Sequence, residues 1–317
     1  MIETTSLVFV GVAALDTIAL VGRLPQPDER ITADAMTQAG GGPAATAAVT
    51  AARLGLRAAF VGAAGDDEDG DRILAGLSSE GVDVSGVIRV PGARSAASIG
   101  LVHRQRRGRA LVTRVGPALH IARSGRAAEL LAGADWVHAD HAGWKAVLPW
   151  RARAHFRLSV DEGNPIPGLC PEGVDLYVPT LAILRSRYGD HPAPDLLGAA
   201  LAEGARCVVA TRGEQGCLGA RPGETPVRVG ALPVAAVSTL GAGDVFHGAL
   251  LAATVRGMPF GERLSYAAAA AGLSCRALAG RGAIPSHAEA LAAAAAVPAT
   301  TRTDTTAPAT GTDIPPT

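Results

Sequence analysis

The 317-residue sequence has few aromatic residues and no net charge. Aromatic side chains make up 3% of the chain, so alanine, valine and leucine must fill most of its interior. Small residues of this kind favour helices packed closely on a sheet. The 29 basic and 29 acidic residues balance, which leaves no excess of positive charge for a nucleic-acid-binding surface.

Cysteines and long apolar runs are also scarce. Four cysteines occur: Cys170, Cys207, Cys217 and Cys275. Their spacing matches neither a metal-binding nor a redox motif, which is typical of reduced thiols in a cytoplasmic protein. The apolar run at 7–12 is too short to span a bilayer, and residues 1–6 lack the basic start of a signal peptide. We therefore expect a cytoplasmic protein without a membrane segment.

Short apolar runs alternate with helical patterns along most of the chain. The predicted strands are 6–11, 58–62, 136–139, 157–160, 176–178 and 206–210. The predicted helices are 43–54, 71–80, 126–131, 194–203, 242–256 and 262–278. This alternation predicts an α/β fold with right-handed crossovers and a mostly parallel sheet.

Two stretches break the alternation. Residues 16–38 contain two prolines and no helical pattern, whereas residues 95–114 predict a hairpin with its turn at 106–108. We expect the two stretches to pair as a small β lid over one edge of the α/β body. Residues 1–297 are then one domain, and 298–317, which lack apolar side chains, are predicted to form a disordered tail.

The most informative segment is the glycine-rich turn at 238–244, which precedes a strongly helical run. Free N–H groups at a helix N-terminus attract anions, and the small residues Gly241, Ala242 and Gly243 let a phosphate approach them closely. Asp244 then lies in the first turn, where its carboxylate can take a proton from an attacking hydroxyl. Taken alone, the pattern favours a tight turn that is merely capped by Asp244.

Two further glycine motifs favour a phosphate-binding site over a simple turn. Residues 40–43, three glycines and a proline, run into a helix whose first turns present the hydroxyl of Thr46. A strand ends at Thr211, and Gly213 and Gly216 form a turn at its carboxyl end, the edge where open α/β sheets bind ligands. Each motif alone is equally compatible with a simple structural turn.

In this order, the three segments resemble the ribokinase-like, or PfkB, family of carbohydrate kinases over about residues 7–290. The resemblance implies a three-layer α/β/α fold with a mostly parallel central sheet and a small β-strand lid. It also implies phosphorylation of a sugar hydroxyl by ATP with Mg²⁺, with Asp244 as the base and Gly241–Gly243 as the anion hole. A homodimer formed through the lid strands is a further implication.

The resemblance also assigns binding residues. Substrate contacts are implied for Asp16, Gly41, Gly42 and Thr46. Nucleotide contacts are implied for Thr211, Gly213, Gly216, Gly280, Arg281 and Gly282. Within the family, the glycine motifs are most similar to those of the sulfofructose kinases, which adds Arg30 and Thr113 to the substrate site. The arginine that this subgroup directs at the sulfonate has no counterpart near 140–144.

The chain departs from the family pattern at three places. Ser238 replaces an aspartate that helps to bind a monovalent cation, and Thr46 replaces an asparagine. Residues 179–183 lack the carboxylate of the family's magnesium motif. We therefore predict no metal ligand from the protein and expect Mg²⁺ to arrive with ATP. Asp161 is left either near that ion or as a strand-end turn residue.

Other polar groups have plainer explanations. His138, Asp140 and His141 are predicted to form strand-end hydrogen bonds rather than a metal site. His247 is predicted to pack or support the site, and the basic run at 103–109 to be a solvated turn.

Two alternatives to a sugar kinase remain open: a nucleoside kinase of the same family, and a sensor that binds sugar or nucleotide without catalysis.

Overall fold

The computed structural model describes residues 6–104 and 109–300. Its helices in these ranges are α1 (Pro43–Arg53), α2 (Glu68–Ser79), α3 (Arg126–Ala132), α4 (Gly143–Val147), α5 (Leu181–Tyr188), α6 (Ala193–Ala202), α7 (Ala242–Val255), α8 (Phe260–Ser274) and α9 (His287–Ala294). The strands are β1 (Leu7–Gly11), β2 (Ala14–Val21), β3 (Ala35–Gly41), β4 (Ala58–Gly65), β5 (Ile88–Val90), β6 (Ala96–His103), β7 (Arg109–Arg114), β8 (Trp136–Ala139), β9 (Arg157–Glu162), β10 (Leu176–Pro179), β11 (Val208–Thr211), β12 (Cys217–Ala220), β13 (Val227–Val229) and β14 (Ala299–Thr300).

Ten of these strands form one sheet, in the order β14-β13-β12-β11-β10-β9-β8-β1-β4-β5. The strands from β11 to β5 in this order run parallel, and β12, β13 and β14 add an antiparallel edge. The predicted mostly parallel sheet is confirmed. Its parallel strands end at one common edge, where the connecting loops can carry ligand-binding groups.

The sheet is covered on both faces, as β1 illustrates. Leu7 and Phe9 point into a core that contains α1, α7 and α8, whereas Val8 and Val10 point into a second core with α3 and α6. All four side chains are at most 1% exposed. A strand buried on both faces reads as a continuous apolar run, which explains why the sequence pattern was easy to recognise. The three-layer α/β/α arrangement is thus confirmed.

A second sheet has the strand order β3-β2-β6-β7 and joins the two stretches that break the alternation. Strands β2 and β6 run parallel, whereas β3 and β7 pair with them in antiparallel fashion. Asp16 lies opposite Ser98, and Ser98 lies opposite Thr113, so these three side chains share one face of the lid. The predicted hairpin turn at 106–108 lies outside the described residues.

The element boundaries differ from the predictions at two informative places. Helix α2 begins three residues early, at Glu68, because the Asp67 carboxylate caps it by accepting a hydrogen bond of 3.0 Å from the Gly70 N–H. The disordered tail was predicted to begin at 298, but Ala299 and Thr300 instead pair with β13, whose free edge offers backbone partners. Residues 301–317 lie outside the described residues.

None of the helices in the described ranges has the length and apolar character needed to cross a membrane.

Candidate active site

The three consecutive glycines before α1 make room for different groups. A Cβ atom at Gly40 would lie 2.3 Å from Nη1 of Arg281, and one at Gly41 would lie 2.0 Å from Oδ2 of Asp16. Gly42 adopts a φ of +90°, a conformation that side chains disfavour. Because the loop has no side chains, the Asp16 carboxylate and the Arg281 guanidinium can lie against the start of α1. Larger residues at these positions would prevent this approach.

Asp140 holds this loop in place through hydrogen bonds to its carboxylate. Its Oδ2 accepts hydrogen bonds from the backbone N–H groups of Val12, at 2.8 Å, and Ala44, at 3.2 Å. Its Oδ1 accepts two more, at 2.9 and 3.0 Å, from the start of α4. The predicted strand-end hydrogen bonding holds for Asp140, because four N–H groups occupy its carboxylate, while His141 is exposed.

The lid supplies the residues predicted for the substrate. The carboxylate of Asp16 is half-buried and accepts a hydrogen bond from the Ser98 hydroxyl. Burial raises the pKa of Asp16, and Ser98 and Arg281 oppose this rise. Thr113 is exposed in the same row of the lid, whereas Arg30 is exposed in the 22–34 connection and has no ion pair to the other described residues. The structure thus groups Asp16 and Thr113, and leaves Arg30 apart.

Arg281 occupies an unexpected position. Its Nε donates to Oγ1 of Thr46 at 3.1 Å, and its Nη2 donates to the carbonyl oxygen of Gly41 at 2.7 Å. Burial lowers the pKa of Arg281 to about 10, against the attraction of Asp16 and Asp244. The resemblance implied a nucleotide contact, but the structure places Arg281 among the residues predicted for the substrate.

The predicted anion hole is a left-handed turn at the start of α7. Gly241 has a φ of 75°, and a Cβ atom there would lie 2.9 Å from the Cα of Gly280. The first helical hydrogen bond runs from the Val245 N–H to the Gly241 carbonyl, so the amides of Gly243 and Asp244 precede it. Gly243 is exposed. The Ala242 N–H, by contrast, donates to the Thr239 carbonyl oxygen at 3.3 Å, so the turn presents the Gly243 and Asp244 amides as the open donors that an anion site requires.

Asp244 follows these amides in the first turn of α7. Burial raises the pKa of Asp244 to about 7, and the negative charge of Asp161 adds to this effect. His247 and Arg109 act in the opposite direction. A carboxylate that titrates near neutral pH is well matched to accept a proton from a hydroxyl.

A buried polar cluster lies next to Asp244. His247 Nε2 lies 3.0 Å from Oδ1 of Asp161, and one ligand-type atom of each lies within 4.8 Å of one from His138. Burial by itself would raise the pKa of Asp161, but His247 outweighs it and the pKa falls to about 2. The Asp161–His247 pair and the contact of His138 Nδ1 with the Ser159 hydroxyl, at 3.0 Å, join these side chains by hydrogen bonds. Asp161 also accepts from the Gly163 N–H, at 2.6 Å, which favours the strand-end role over magnesium binding.

The lid reaches the anion-hole turn through one arginine. Nη1 of Arg109 donates to Oγ1 of Thr239 at 3.1 Å, although the side chain is exposed. The basic run was predicted to be a solvated turn, and Arg109 departs from that prediction because it bridges β7 to the turn before α7. Residues 105–108 of the run lie outside the described residues. The contact connects the lid sheet to the turn that precedes α7.

The remaining residues predicted for the nucleotide lie in two turns. Gly213 and Gly216 have φ values of 58° and 79° and follow Thr211 at the carboxyl end of β11. A Cβ atom at Gly216 would lie 2.1 Å from a backbone carbonyl, so this turn packs closely on β13. Gly280 is buried against Gly241, and Gly282 is exposed. The second turn contacts the anion hole directly, through Gly280 and Gly241.

The position of the missing magnesium motif is occupied by a helix cap. Thr180 begins α5, and its Oγ1 accepts from the Ile183 N–H at 3.2 Å. Glu162 lies opposite Pro179, but its buried carboxylate is taken up by the Tyr177 hydroxyl and by Arg187. Ser238 likewise turns inward, where its hydroxyl accepts from the Leu240 N–H at 3.1 Å.

Comparisons with known proteins identify the family and the fold. The profile described as pfkB family carbohydrate kinase matches residues 4–143 and 169–306. Ribokinase from Arabidopsis thaliana is 30% identical over 306 residues, which cover 88% of this chain and 78% of that protein. A nucleoside kinase from Methanothermobacter thermautotrophicus is 36% identical over 90 residues, so that match spans only 28% of this chain and 29% of that protein.

A solved structure shows the same likeness over nearly the whole chain. The structure of Arabidopsis thaliana ribokinase complexed with ribose and ATP has a TM-score of 0.79 and 25% sequence identity, and the match covers 92% of this chain and 99% of that one. Family profile, full-length relative and solved fold all agree. The chain belongs to the pfkB family of carbohydrate kinases.

Proposed function

We propose that this protein transfers the γ-phosphoryl group of ATP to a hydroxyl of a small sugar or sugar derivative, with Asp244 as the general base. The observation that carries the proposal is the start of α7, where open amides and a carboxylate with a pKa of about 7 lie side by side. Asp16 lies across the cleft, and Arg281 interacts electrostatically with both carboxylates. A sugar held at Asp16 would then present a hydroxyl to Asp244.

Each group has its own role in the proposed phosphoryl transfer. Asp244 takes the proton of the acceptor hydroxyl as the oxygen attacks the γ-phosphorus, and the bond to the β-phosphate oxygen breaks to release ADP. The amides of Gly243 and Asp244 stabilise the charge on the transferred group. Asp16 orients the sugar, the buried Thr46 holds Arg281 beside it, and the lid excludes water from the transferred group.

The nucleotide site fits a phosphate chain better than a protein-bound metal. Gly241 and Gly280 meet backbone to backbone, which leaves the amides uncovered by side chains. No carboxylate occurs at 179–183, and both Asp161 and Glu162 are already hydrogen-bonded. When bound with ATP, Mg²⁺ supplies charge neutralisation to the phosphates, and the phosphates and water would supply its ligands.

The substrate class can be tested by measuring ADP release over a panel of ketoses, sulfosugars, sugar phosphates and nucleosides. We expect ADP release that depends on one of the sugars. Release that depends on a nucleoside instead would favour the nucleoside kinase, for which the partial match to such an enzyme is the specific support. Tight binding of a sugar or ATP without ADP release would identify a sensor and contradict catalysis.

The proposed base predicts how activity depends on pH. Because the ionised form of Asp244 accepts the proton and its pKa is raised to about 7, kcat/KM should rise as the pH increases through 7. Below the midpoint, the rate should fall about tenfold for each pH unit. A rate measured from about pH 5.5 to 9 that stays flat would contradict a base with a raised pKa.

A homodimer through the lid is also proposed, from the outer face of the lid sheet. Met36, Ile99 and Val112 are 70%, 58% and 71% exposed, and the register places them opposite the Asp16 face. Three large apolar side chains in one patch are typical of a covered interface. Val112→Glu should therefore convert a dimer to a monomer in light scattering, whereas Leu291→Glu, on α9, should not. A wild-type monomer would contradict the proposal.

A further inference from the structure

His247 lies one helical turn after Asp244 on α7, in the interior of the protein. Its side chain and that of Asp161 are 4% and 5% exposed, and their facing atoms are 3.0 Å apart. Three residues along a helix place two side chains on the same face. The imidazole therefore pairs with Asp161, at the end of β9, and shares a helix face with Asp244, at the start of α7, whose charge also acts on it.

The two carboxylates oppose each other's ionisation. Like charges in a region of low dielectric constant disfavour the doubly ionised state, and each needs a nearby positive charge. The groups that act on Asp244 come from its own helix and from elements around it: His247, Asp161, Asp140, Arg109 and Arg281. Of the two cations from other elements, Arg109 is exposed and Arg281 is shared with Asp16.

His247 is the histidine of the cluster that can carry the positive charge. Burial acts to lower its pKa, but Asp161 outweighs this effect, so the pKa of His247 lies above its ordinary value. The neighbouring His138, whose ring centre is 5.7 Å away, is neutral because burial and His247 lower its pKa to about 3. Its Nδ1 lies 3.0 Å from the Ser159 hydroxyl.

Simple packing does not explain an imidazole at this position. Nδ1 of His247 is buried and has no hydrogen-bond partner among the described residues. An unpaired buried polar atom is costly, whereas an apolar side chain would fill the same space without that cost. The pairing of the ring with Asp161, rather than its volume, is therefore what the site uses.

We propose that His247 is a positioning residue whose imidazolium, held by Asp161, is the counter-charge that lets Asp244 ionise at neutral pH. The inference rests on the proposed kinase function with Asp244 as the base. It assigns a role to a pair that the resemblance did not include. His247 itself need not touch the substrate or the phosphoryl group.

The test compares three variants by their pH profiles of kcat/KM. His247→Gln keeps a hydrogen-bond donor for Asp161 but removes the charge, so the midpoint should move up by about one pH unit. The rate below the midpoint should then fall about tenfold and recover at high pH. The double variant His247→Gln/Asp161→Asn removes one charge of each sign, and its midpoint should return toward that of the wild type. His287→Gln, a remote histidine substitution, should leave the profile unchanged.

A merely structural role gives a different result. If His247→Gln lowers the rate equally at every pH, or if the double variant fails to restore the midpoint, the inference is wrong. Should the variants not fold, ¹⁵N-histidine NMR of the wild type decides, because an imidazole that is neutral at pH 7 overturns the inference. Failure of the kinase proposal looks different, since the wild type itself would then show no substrate-dependent ADP release.

Discussion

Replacement of Asp244 by asparagine is expected to lower kcat by roughly 10²–10⁴-fold, the usual contribution of a positioned general base. Asparagine has the same shape but cannot accept the proton of the acceptor hydroxyl. The open amides at the start of α7 remain, so the affinity for ATP should change little. The measurements are kcat by coupled ADP release and the Kd of ATP by calorimetry.

Asp244→Asn should raise the stability of the protein although it lowers kcat. Because the pKa of Asp244 is raised from an ordinary 3.8 to about 7, the folded state binds this proton more tightly than the unfolded state does. The contribution of Asp244 to the stability of the wild type should therefore fall as the pH rises from about 3.8 to 7, and remain lowered above that window. Asp244→Asn removes this penalty and should raise the Tm at pH 8.

An exposed aspartate provides the control for both effects. Asp190→Asn, on a side chain that is 91% exposed, should change neither kcat nor Tm at pH 8. If Asp244→Asn retained turnover within tenfold of the wild type, Asp244 would not be the base. An unchanged Tm at pH 8 would instead contradict a raised pKa of the half-buried Asp244 carboxylate.

The sequence predicted the parts of the site that depend on local structure. A glycine followed by a small residue and a helical run predicts a left-handed turn and open amides, and Gly241 and α7 have this conformation. The buried strands were equally predictable, because parallel strands covered on both faces are continuously apolar. The lid was predicted from its two extended stretches, β2–β3 and β6–β7, which lack a helical period.

Contacts between distant segments could not be predicted in this way. Arg281 and Thr46 are 235 positions apart, and no local pattern indicates that they meet. The sequence pattern groups His138 with its neighbours Asp140 and His141, whereas the fold joins it to Asp161 and His247. Strand pairing is the reason, since the parallel register sets His138 beside Ser159, two residues before Asp161 on the neighbouring strand.

Substitution of Arg281 is the second change for which we expect a large effect, because its side chain is buried and interacts with groups on both sides of the site. Arg281→Met removes the charge between Asp16 and Asp244, and it leaves the Gly41 carbonyl and the Thr46 hydroxyl without their donor. A buried hydrogen-bonding group that is left without its partner typically costs about 1–3 kcal/mol. We expect a loss of this order in the free energy of unfolding, together with a marked rise in the KM of the sugar.

Arg281→Lys separates the charge from the geometry. A lysine keeps the positive charge but has a single nitrogen in place of the planar fork, so it cannot reach Thr46 and Gly41 as Arg281 does. Stability should largely recover relative to Arg281→Met, while the KM of the sugar stays raised and the KM of ATP stays near that of the wild type. The opposite pattern, a raised KM for ATP with the sugar unaffected, would place Arg281 in the nucleotide site, as the family resemblance implied. Kinetics with each substrate varied in turn therefore decide whether the buried contacts to Gly41 and Thr46 serve the acceptor or the donor.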